Sequence, residues 1–163
     1  MERSIDKRAL LAALKDQISA EVARSTSQAV DAAAGATHEE NAAEGDRDMR
    51  STEASYVARG HAERVQTLKD ALVRLAVMPL SDFGEGDAIA SSALVDVASN
   101  GQVSSYFLVP AAGGERIQRG DVRVSTLSTT SPLGSALLGQ REGDEAEVTT
   151  PNGTRFYEVL RVR

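Results

Sequence analysis

The chain contains no cysteine and no tryptophan, and it has three phenylalanines and three tyrosines among its 163 residues. Without cysteine there is no disulfide framework, no thiolate zinc site and no cysteine nucleophile. With so few aromatic residues, a platform on which nucleic-acid bases stack is not expected. No run approaches the roughly 20 apolar residues that a transmembrane helix requires, and no signal-peptide core is visible. We therefore expect a cytoplasmic protein that does not enter a membrane.

Positive charge is also in short supply, because 24 acidic residues outnumber 18 basic ones and give a formal net charge of −6. Proteins that coat nucleic-acid phosphates do so with clusters of Lys and Arg. We therefore expect this chain to act on nucleic acid only through a protein partner or a metal ion.

Proline is absent from the first 78 residues, and this absence divides the chain. The residues before Pro79 are rich in alanine and other good helix formers, whereas those after it are rich in Gly, Ser, Thr and Val. Pro79 cannot continue a helix and disfavours helical angles at the residue before it. We place the boundary at Ala76 to Leu80, which predicts a helical domain over residues 1–78 and a β-rich domain over residues 79–163.

Two helices are predicted in the first domain, each with an apolar stripe at steps of three and four residues. The stripe of the second helix comprises Ala54, Ala58, His61, Val65, Leu68, Leu72 and Leu75. The looser stripe of the first helix comprises Leu11, Leu14, Ile18, Val22, Ala29, Ala33 and Ala36. Facing the two stripes puts the bend near Asn41 to Glu44. The result is an antiparallel coiled-coil hairpin about 45 Å long. Because each helix already has its partner, we expect a monomer.

The second domain is predicted to form short strands separated by turns. The predicted strands are Ala88–Val97, Val103–Val109, Val122–Leu127, Ala146–Thr149 and Arg155–Val162. Asn152-Gly153 is the strongest hairpin signal, because this pair tolerates the positive φ angles of a type I′ turn. A short helix is predicted after the third strand. Its N-cap is Ser131, its first residue is Pro132 and its terminating glycine is Gly139.

The most specific stretch of sequence begins with this short helix. Four elements follow in order: a Ser-Pro-hydrophobic helix ending in glycine, a Gly-Asp turn, a Pro-Asn-Gly hairpin and a Tyr-Glu-Val strand. They occupy Thr129–Gly139, Glu142–Asp144, Thr150–Thr154 and Tyr157–Leu160. This arrangement resembles the C-terminal domain of the transcription factors GreA and GreB. The resemblance implies an α+β protein in which an antiparallel two-helix coiled-coil hairpin precedes a small FKBP-like β-rich C-terminal domain.

The same resemblance implies a partner, bacterial RNA polymerase. It implies that the C-terminal domain docks on the rim of the polymerase secondary channel, while the coiled coil reaches down that channel to the active site. Nucleic acid would be contacted only through the polymerase complex. The residues that match the family's docking segment are Thr130, Ser131, Pro132, Leu133, Leu137 and Gly139.

The predicted bend is rich in carboxylates, as is the tip of cleavage-stimulating Gre factors. That tip resembles Gly-Asp-Leu-Lys-Glu-Asn-Ala-Glu-Tyr, in which an Asp and a Glu three residues apart are the working carboxylates. Here Gly45-Asp46 matches, but Met49 stands three residues after Asp46. The second carboxylate is therefore open between Glu44 and Asp48. The resemblance implies that these carboxylates are donated to the polymerase active site and its Mg²⁺. We expect the chain alone to hold no metal ion or other cofactor stably.

Three functions are open at this point. The first is a Gre-type factor that stimulates cleavage of backtracked transcripts. The second is a Gre-like paralogue that occupies the same channel and modulates or inhibits transcription without stimulating cleavage. The third is a free-standing prolyl isomerase of the FKBP type, whose aromatic-lined pocket has few candidate residues here. In both Gre hypotheses the chain is not an enzyme but an accessory to the polymerase's own catalytic site.

Overall fold

The computed structural model describes the backbone of residues 5–40 and 47–163, with side chains for residues 5–35, 49 and 52–163. The chain forms two compact units. One contains the residues up to 15 together with 73–163, and the other contains residues 16–72. The first turns of the N-terminal helix therefore belong to the same unit as the strands. Continuous domains over 1–78 and 79–163 stay a prediction.

Two long helices, α1 (Lys7–Glu40) and α2 (Arg47–Ala76), occupy most of the N-terminal half. α2 ends shortly before Pro79, as expected of a residue that cannot continue a helix. The predicted helical hairpin is confirmed. The predicted bend at Asn41 to Glu44 lies outside the described residues.

A capping carboxylate fixes the start of α1. Oδ1 of Asp6 accepts hydrogen bonds from the backbone N–H of Arg8 at 2.9 Å and of Ala9 at 3.3 Å. These N–H groups have no partner within the helix, and replacing such a cap by alanine typically costs about 1 kcal/mol. Asp6 thereby defines where the helix begins.

The apolar stripe of the hairpin is confirmed along α2, where all seven predicted positions are buried or half-buried. Along α1 it is confirmed in part. Ala33 is exposed, and its neighbour Ala32 is half-buried instead. Ser25, with 6% of its surface exposed, fills the longest gap in the predicted stripe. We missed Ser25 because a hydroxyl residue does not count as apolar. The predicted Ala36 lies outside the described side chains.

An ion pair links the two helices within the unit of residues 16–72. Nε of Arg64 lies 3.0 Å, and Nη2 2.5 Å, from Oε1 of Glu21. The two side chains remain 51% and 23% exposed, so the pair contributes only about 0.2–1 kcal/mol. Its partners are 43 positions apart along the chain, so the pair forms only once the two helices lie side by side.

A six-stranded sheet and one short helix form the C-terminal half. The strands are β1 (Leu94–Ser99), β2 (Gln102–Val109), β3 (Arg116–Arg119), β4 (Val122–Ser128), β5 (Glu145–Thr150) and β6 (Gly153–Val162). Helix α3 (Pro132–Leu137) lies between β4 and β5 in the sequence. The strand order is β3-β4-β2-β1-β6-β5, and every pair is antiparallel except β2 with β4. The α+β fold class is confirmed.

Two strand predictions were wrong in detail. The strand predicted over Ala88–Val97 begins only at Leu94, because Ser92 adopts a φ of 70° that extended backbone does not allow. β3 was not predicted at all. It is an edge strand of four residues in which only Ile117 is buried, so its alternation is too short to stand out.

The type I′ turn was predicted at the wrong hairpin. Asn100 and Gly101, between β1 and β2, have φ values of 51° and 76°, the positive angles that such a turn requires. In the β5–β6 hairpin Thr150 pairs with Gly153, so Pro151 and Asn152 are the turn residues instead of Asn152-Gly153. The proline ring fixes a negative φ, which excludes a type I′ turn there.

The hydrophobic core lies between one face of the sheet and α3. It contains Ile89, Ala93, Val95, Val97, Leu108, Leu137, Ala146, Val159 and Val162. Leu137 reaches this cluster from α3, and Tyr106, Leu133 and Tyr157 pack against its margin. The core therefore holds α3 in a fixed position on the sheet.

The other face of the sheet is buried where β1 begins and β2 ends. Leu94 and Phe107 are paired neighbours on that face, and their exposed fractions are 1% and 0%. At the edge of the sheet, Nη1 of Arg119 donates to the carbonyl oxygen of Ala9 at 3.1 Å. This hydrogen bond joins β3 to the first turns of α1, which belong to the same unit.

Candidate functional site

The predicted docking segment forms the loop after β4 and the whole of α3. The N-cap prediction is confirmed, since Oγ of Ser131 accepts the N–H of Gly134 at 3.1 Å and Pro132 occupies the first helical position. The same hydroxyl donates to the carbonyl oxygen of Ser128 at 2.7 Å. Ser131 therefore fixes both the helix start and the last residue of β4.

Hydroxyl groups brace the rest of this loop. Oγ of Ser128 and Oγ1 of Thr130 lie 2.9 Å apart, and Oγ of Ser135 donates to the carbonyl oxygen of Thr129 at 3.1 Å. The backbone N–H of Thr129 also donates to the carbonyl oxygen of Val109 at the end of β2, at 3.0 Å. The loop is held by the sheet on one side and by α3 on the other.

Close backbone packing at Gly134 adds a steric constraint. A Cβ atom placed there would overlap the carbonyl oxygen of Ser128, which is backbone and cannot move aside alone. Gly113 also lies close to Ser128, since a Cβ atom there would be 2.6 Å from the backbone nitrogen of Ser128. Two glycines thus allow the loop to fit between α3 and the segment before β3.

The C-terminal end of α3 is anchored as well. Gly139 has a φ of 83°, the left-handed angle expected of the residue that terminates a helix, so this prediction is confirmed. Its N–H donates to the carbonyl oxygen of Ile89 at 2.9 Å, and the N–H of Ile89 donates back to the carbonyl oxygen of Gln140 at 2.8 Å. Both ends of the short helix are therefore attached to the rest of the unit.

The exposed residues of this segment are apolar or hydroxyl-bearing and carry no charge: Thr130, Pro132, Ser135, Leu138 and Gly139. Together with the half-buried Ser131 and Leu133 they form what we call the α3 surface. Leu138 was missed from the sequence although 39% of its surface is exposed, because it directly follows the core residue of the helix. Leu137 was predicted to contact a partner. It is fully buried in the core, so we correct the prediction and leave it out of the surface.

The predicted catalytic carboxylates are not placed. Glu44 and Asp46 lie outside the described residues. Asp48 lies within α2, but its side chain is not among those described. Their mutual geometry therefore stays a prediction. Within the described ranges, no group of three or more His, Asp or Glu residues could hold a metal ion. No helix in those ranges is long and apolar enough to cross a membrane.

A cleft of about 620 Å³ lies beside the start of α1, and no sequence pattern predicted it. Nζ of Lys7 donates to the carbonyl oxygen of Ser81 at 2.5 Å and lies 4.6 Å from the centre of the Phe83 ring, as in a cation–π contact. Burial lowers the pKa of Lys7, and the nearby Asp82 carboxylate acts in the opposite direction. The contact joins residues more than 70 positions apart, so no local pattern predicts it.

Comparison with known proteins gives a consistent result. The family model for the C-terminal part of the transcription elongation factors GreA/GreB matches residues 86–163. GreA of Syntrophobacter fumaroxidans is 39% identical over 101 residues, which cover 61% of this chain and 61% of that protein. GreA of Bartonella tribocorum is 32% identical over 113 residues, 68% of each chain. The matches span about three fifths of the length of the first relatives.

The solved structures include a more distant likeness. The GreA factor homolog 1 (Gfh1) protein of Thermus thermophilus is 22% identical, with 91% of this chain and 94% of that chain covered and a TM-score of 0.37. A likeness this loose carries no argument about function.

Proposed function

Because this chain belongs to the GreA/GreB family of transcription elongation factors, we propose that it binds bacterial RNA polymerase and stimulates cleavage of backtracked transcripts. In this proposal the unit that contains the strands, residues up to 15 and 73–163, docks on the rim of the secondary channel; we call it the β-rich unit. The hairpin then extends into the channel and brings its carboxylates to the active site. The observation that carries the proposal is the family match over residues 86–163.

The α3 surface is the docking surface we propose. Hydrogen bonds hold both ends of α3, and Leu137, its last residue, anchors it in the core. Such a surface changes little on binding, which reduces the entropic cost of association. Because it carries no charge, its affinity for a partner rests on apolar contact and on hydroxyl hydrogen bonds. We therefore expect docking through α3 to depend weakly on salt.

The hairpin end supplies the carboxylates. Asp46 is the residue that matches the family's tip, and Glu44 and Asp48 lie within two residues of it along the chain. Carboxylate oxygens are ligands that Mg²⁺ accepts readily, and a weakly held Mg²⁺ commonly takes only one or two from protein. A second metal ion in a phosphoryl-transfer site stabilises the attacking and leaving oxygens. The role of this chain is to donate and orient oxygen ligands, and the catalysis belongs to the polymerase.

The proposal is tested with Asp46→Ala, Glu44→Ala and Asp48→Ala in the full chain, assayed separately on backtracked elongation complexes. Loss of a catalytic oxygen donor typically lowers a rate by about a hundredfold or more. We expect that loss for Asp46→Ala and for one of the other two, with unchanged binding to polymerase. Glu63→Ala, an exposed acidic position farther along α2, is the matched control. Wild-type cleavage in all three variants would reject the proposed role.

One observation favours a second candidate, a factor that occupies the channel without stimulating cleavage. Met49 stands where the family tip has its second acid, and 86% of its surface is exposed. A methionine there provides no oxygen ligand. If the wild-type chain slows nucleotide addition and never stimulates cleavage, and if neutralising the tip abolishes the slowing, this second function replaces the first.

A further inference from the structure

The sheet face opposite α3 is uncovered where β1 ends and β2 begins, and it carries apolar side chains there. Val103 of β2 and Phe156 of β6 have exposed fractions of 64% and 51%. Ala98 of β1 pairs with Val103 on one side and with Glu158 on the other, so these three residues form a row across the sheet. Because side chains alternate along a strand, Phe156 lies on the same face as Glu158. The two exposed apolar side chains therefore share one face of the sheet.

Three carboxylates lie among these apolar groups. Glu145 of β5 stands directly opposite Glu158 of β6, and Glu147 stands directly opposite Phe156. All three are exposed, and none forms an ion pair within the part of the chain that the structure describes. Like charges directly opposite each other across a strand pair destabilise a sheet. The facing carboxylates do not stabilise the fold, which suggests a role in binding.

A groove of about 590 Å³ runs along this face, between the turn at Asn100-Gly101 and the turn that contains Asn152. Glu145 and Glu158 line it together with Phe156. Arg155 also lines it, but it pairs with the buried Val148, so its side chain belongs to the opposite face of the sheet. Even with this guanidinium counted, two carboxylates leave the groove net acidic. We call this groove, together with Glu147 and Val103 beside it, the acidic sheet face.

We propose that the acidic sheet face binds a protein segment in which Arg or Lys stands next to an apolar side chain. A guanidinium can stack on the exposed Phe156 ring while it donates to Glu158 or Glu145. The neighbouring apolar side chain then covers Val103 and the ring edge. Negative charge excludes a phosphate backbone as the occupant, since phosphates are bound by Lys and Arg.

This site is separate from the proposed docking surface. α3 packs on the core face of the sheet through Leu137, whereas Phe156 and Glu158 are exposed on the other face. A partner can therefore occupy the acidic sheet face while the α3 surface is engaged. The inference does not rest on the proposed function, because it uses only the charges and exposed groups of this sheet face.

The test is a titration of the isotope-labelled full chain with a short peptide of alternating arginine and leucine, followed by NMR. We expect shift changes at the amides of residues 145–147 and 156–160, and none there with a peptide in which glutamate replaces arginine. Glu158→Gln should weaken binding about fivefold, the upper range for one exposed charge pair. Glu85→Gln, an exposed acid in a turn of the same unit, should bind as the wild type does.

Several outcomes overturn the proposal. One is that the shift changes fall only outside residues 145–160, for example at the acidic end of the hairpin. Another is that Glu158→Gln and Glu85→Gln bind equally well. Shift changes at residues 145–160 that depend on chain concentration without any peptide would assign the face to a second copy instead.

A second, independent test compares the thermal unfolding midpoints of a variant and the wild type. Glu145→Gln removes one of two facing charges, so its unfolding midpoint should rise above that of the wild type. If the midpoint falls instead, the carboxylates stabilise the fold, and their retention for binding is contradicted.

Discussion

The β-rich unit and the helical hairpin differ most in how much of each is buried. In β1 and β2, Leu94, Val95, Val97 and Phe107–Val109 are almost completely inaccessible to solvent. Among the described side chains between residues 16 and 72, the buried ones are Ile18, Ser25, Leu68 and Ala71. The hairpin therefore depends on the narrow contact between its two apolar stripes, which we call the seam, and on the hydrogen bonds within each helix.

This difference indicates how a substitution will act in each region. In the β-rich unit, the core, the loop after β4 and α3 share contacts, so a change at one position propagates through the unit. In the hairpin, neighbours along the seam are few and local, and opening can stay confined to a few turns. In the proposed function the two regions also have different roles. The β-rich unit docks on the polymerase, and the hairpin delivers the carboxylates.

The largest contrast between the two regions is expected where the same substitution is made in both. Gly134→Ala places a Cβ atom against the carbonyl oxygen of Ser128, and such overpacking typically costs about 1–3 kcal/mol or more. Gly60→Ala in α2 meets nothing within 4 Å, and alanine is a better helix former than glycine by about 1 kcal/mol. We expect opposite signs in the free energy of unfolding, measured with urea. Two changes of the same sign would break the comparison.

A cavity in the seam should act locally. Ile18 is 1% exposed, and truncating a buried isoleucine to alanine typically costs about 2–5 kcal/mol. Hydrogen exchange should show faster exchange in α1 and α2 of the variant, while the amides of β1 and β6 keep the protection of the wild type. Ser19→Ala, at the next and exposed position of the same helix, is the matched control and should leave exchange unchanged. Equal loss of protection in the strands of the Ile18→Ala variant would show that the regions unfold as one.

The smallest expected effect concerns Lys7, at the start of α1. Burial lowers the pKa of Lys7 below its ordinary value of 10.5. Between the lowered pKa and 10.5 the unfolded chain binds more protons than the folded one, so this group makes folding more favourable as pH rises through that window. Compared with Lys7→Met, the wild type should gain stability on going from neutral pH to about pH 10. Urea unfolding of both proteins at each pH checks the sign, and a relative loss would contradict it.

Local signals predicted the candidate site best. Ser131, Pro132 and Gly139 each act through their own backbone angles or a hydrogen bond a few residues away, so the sequence was sufficient to place α3. The turn at Asn152-Gly153 was mispredicted because Pro151, one residue earlier, is itself a turn residue and fixes a negative φ there. Leu137 was predicted to contact a partner although it lies in the core, because a family match gives no information on burial.

Features that depend on distant residues could not be predicted. The contact of Lys7 with Phe83 forms only after the chain has folded, and β3 is an edge strand whose four residues depend on pairing with β4. The facing pair of Glu145 and Glu158 depends on the β5–β6 register, which the misplaced turn would have shifted. Register sets which side chains share a face, so it had to come from the structure.

The central claim is that the α3 surface docks on polymerase and that the hairpin end acts on the active site. The most direct measurement is the affinity of the full chain for RNA polymerase, compared between Thr130→Arg on the α3 surface and Asp46→Ala at the hairpin end. Thr130 is exposed, so a long charged side chain there should disturb the interface and leave the fold intact. We predict binding weaker by about tenfold or more for Thr130→Arg, a loss typical of a disrupted interface centre, and unchanged for Asp46→Ala. Unchanged binding by Thr130→Arg together with a loss for Asp46→Ala would contradict the account.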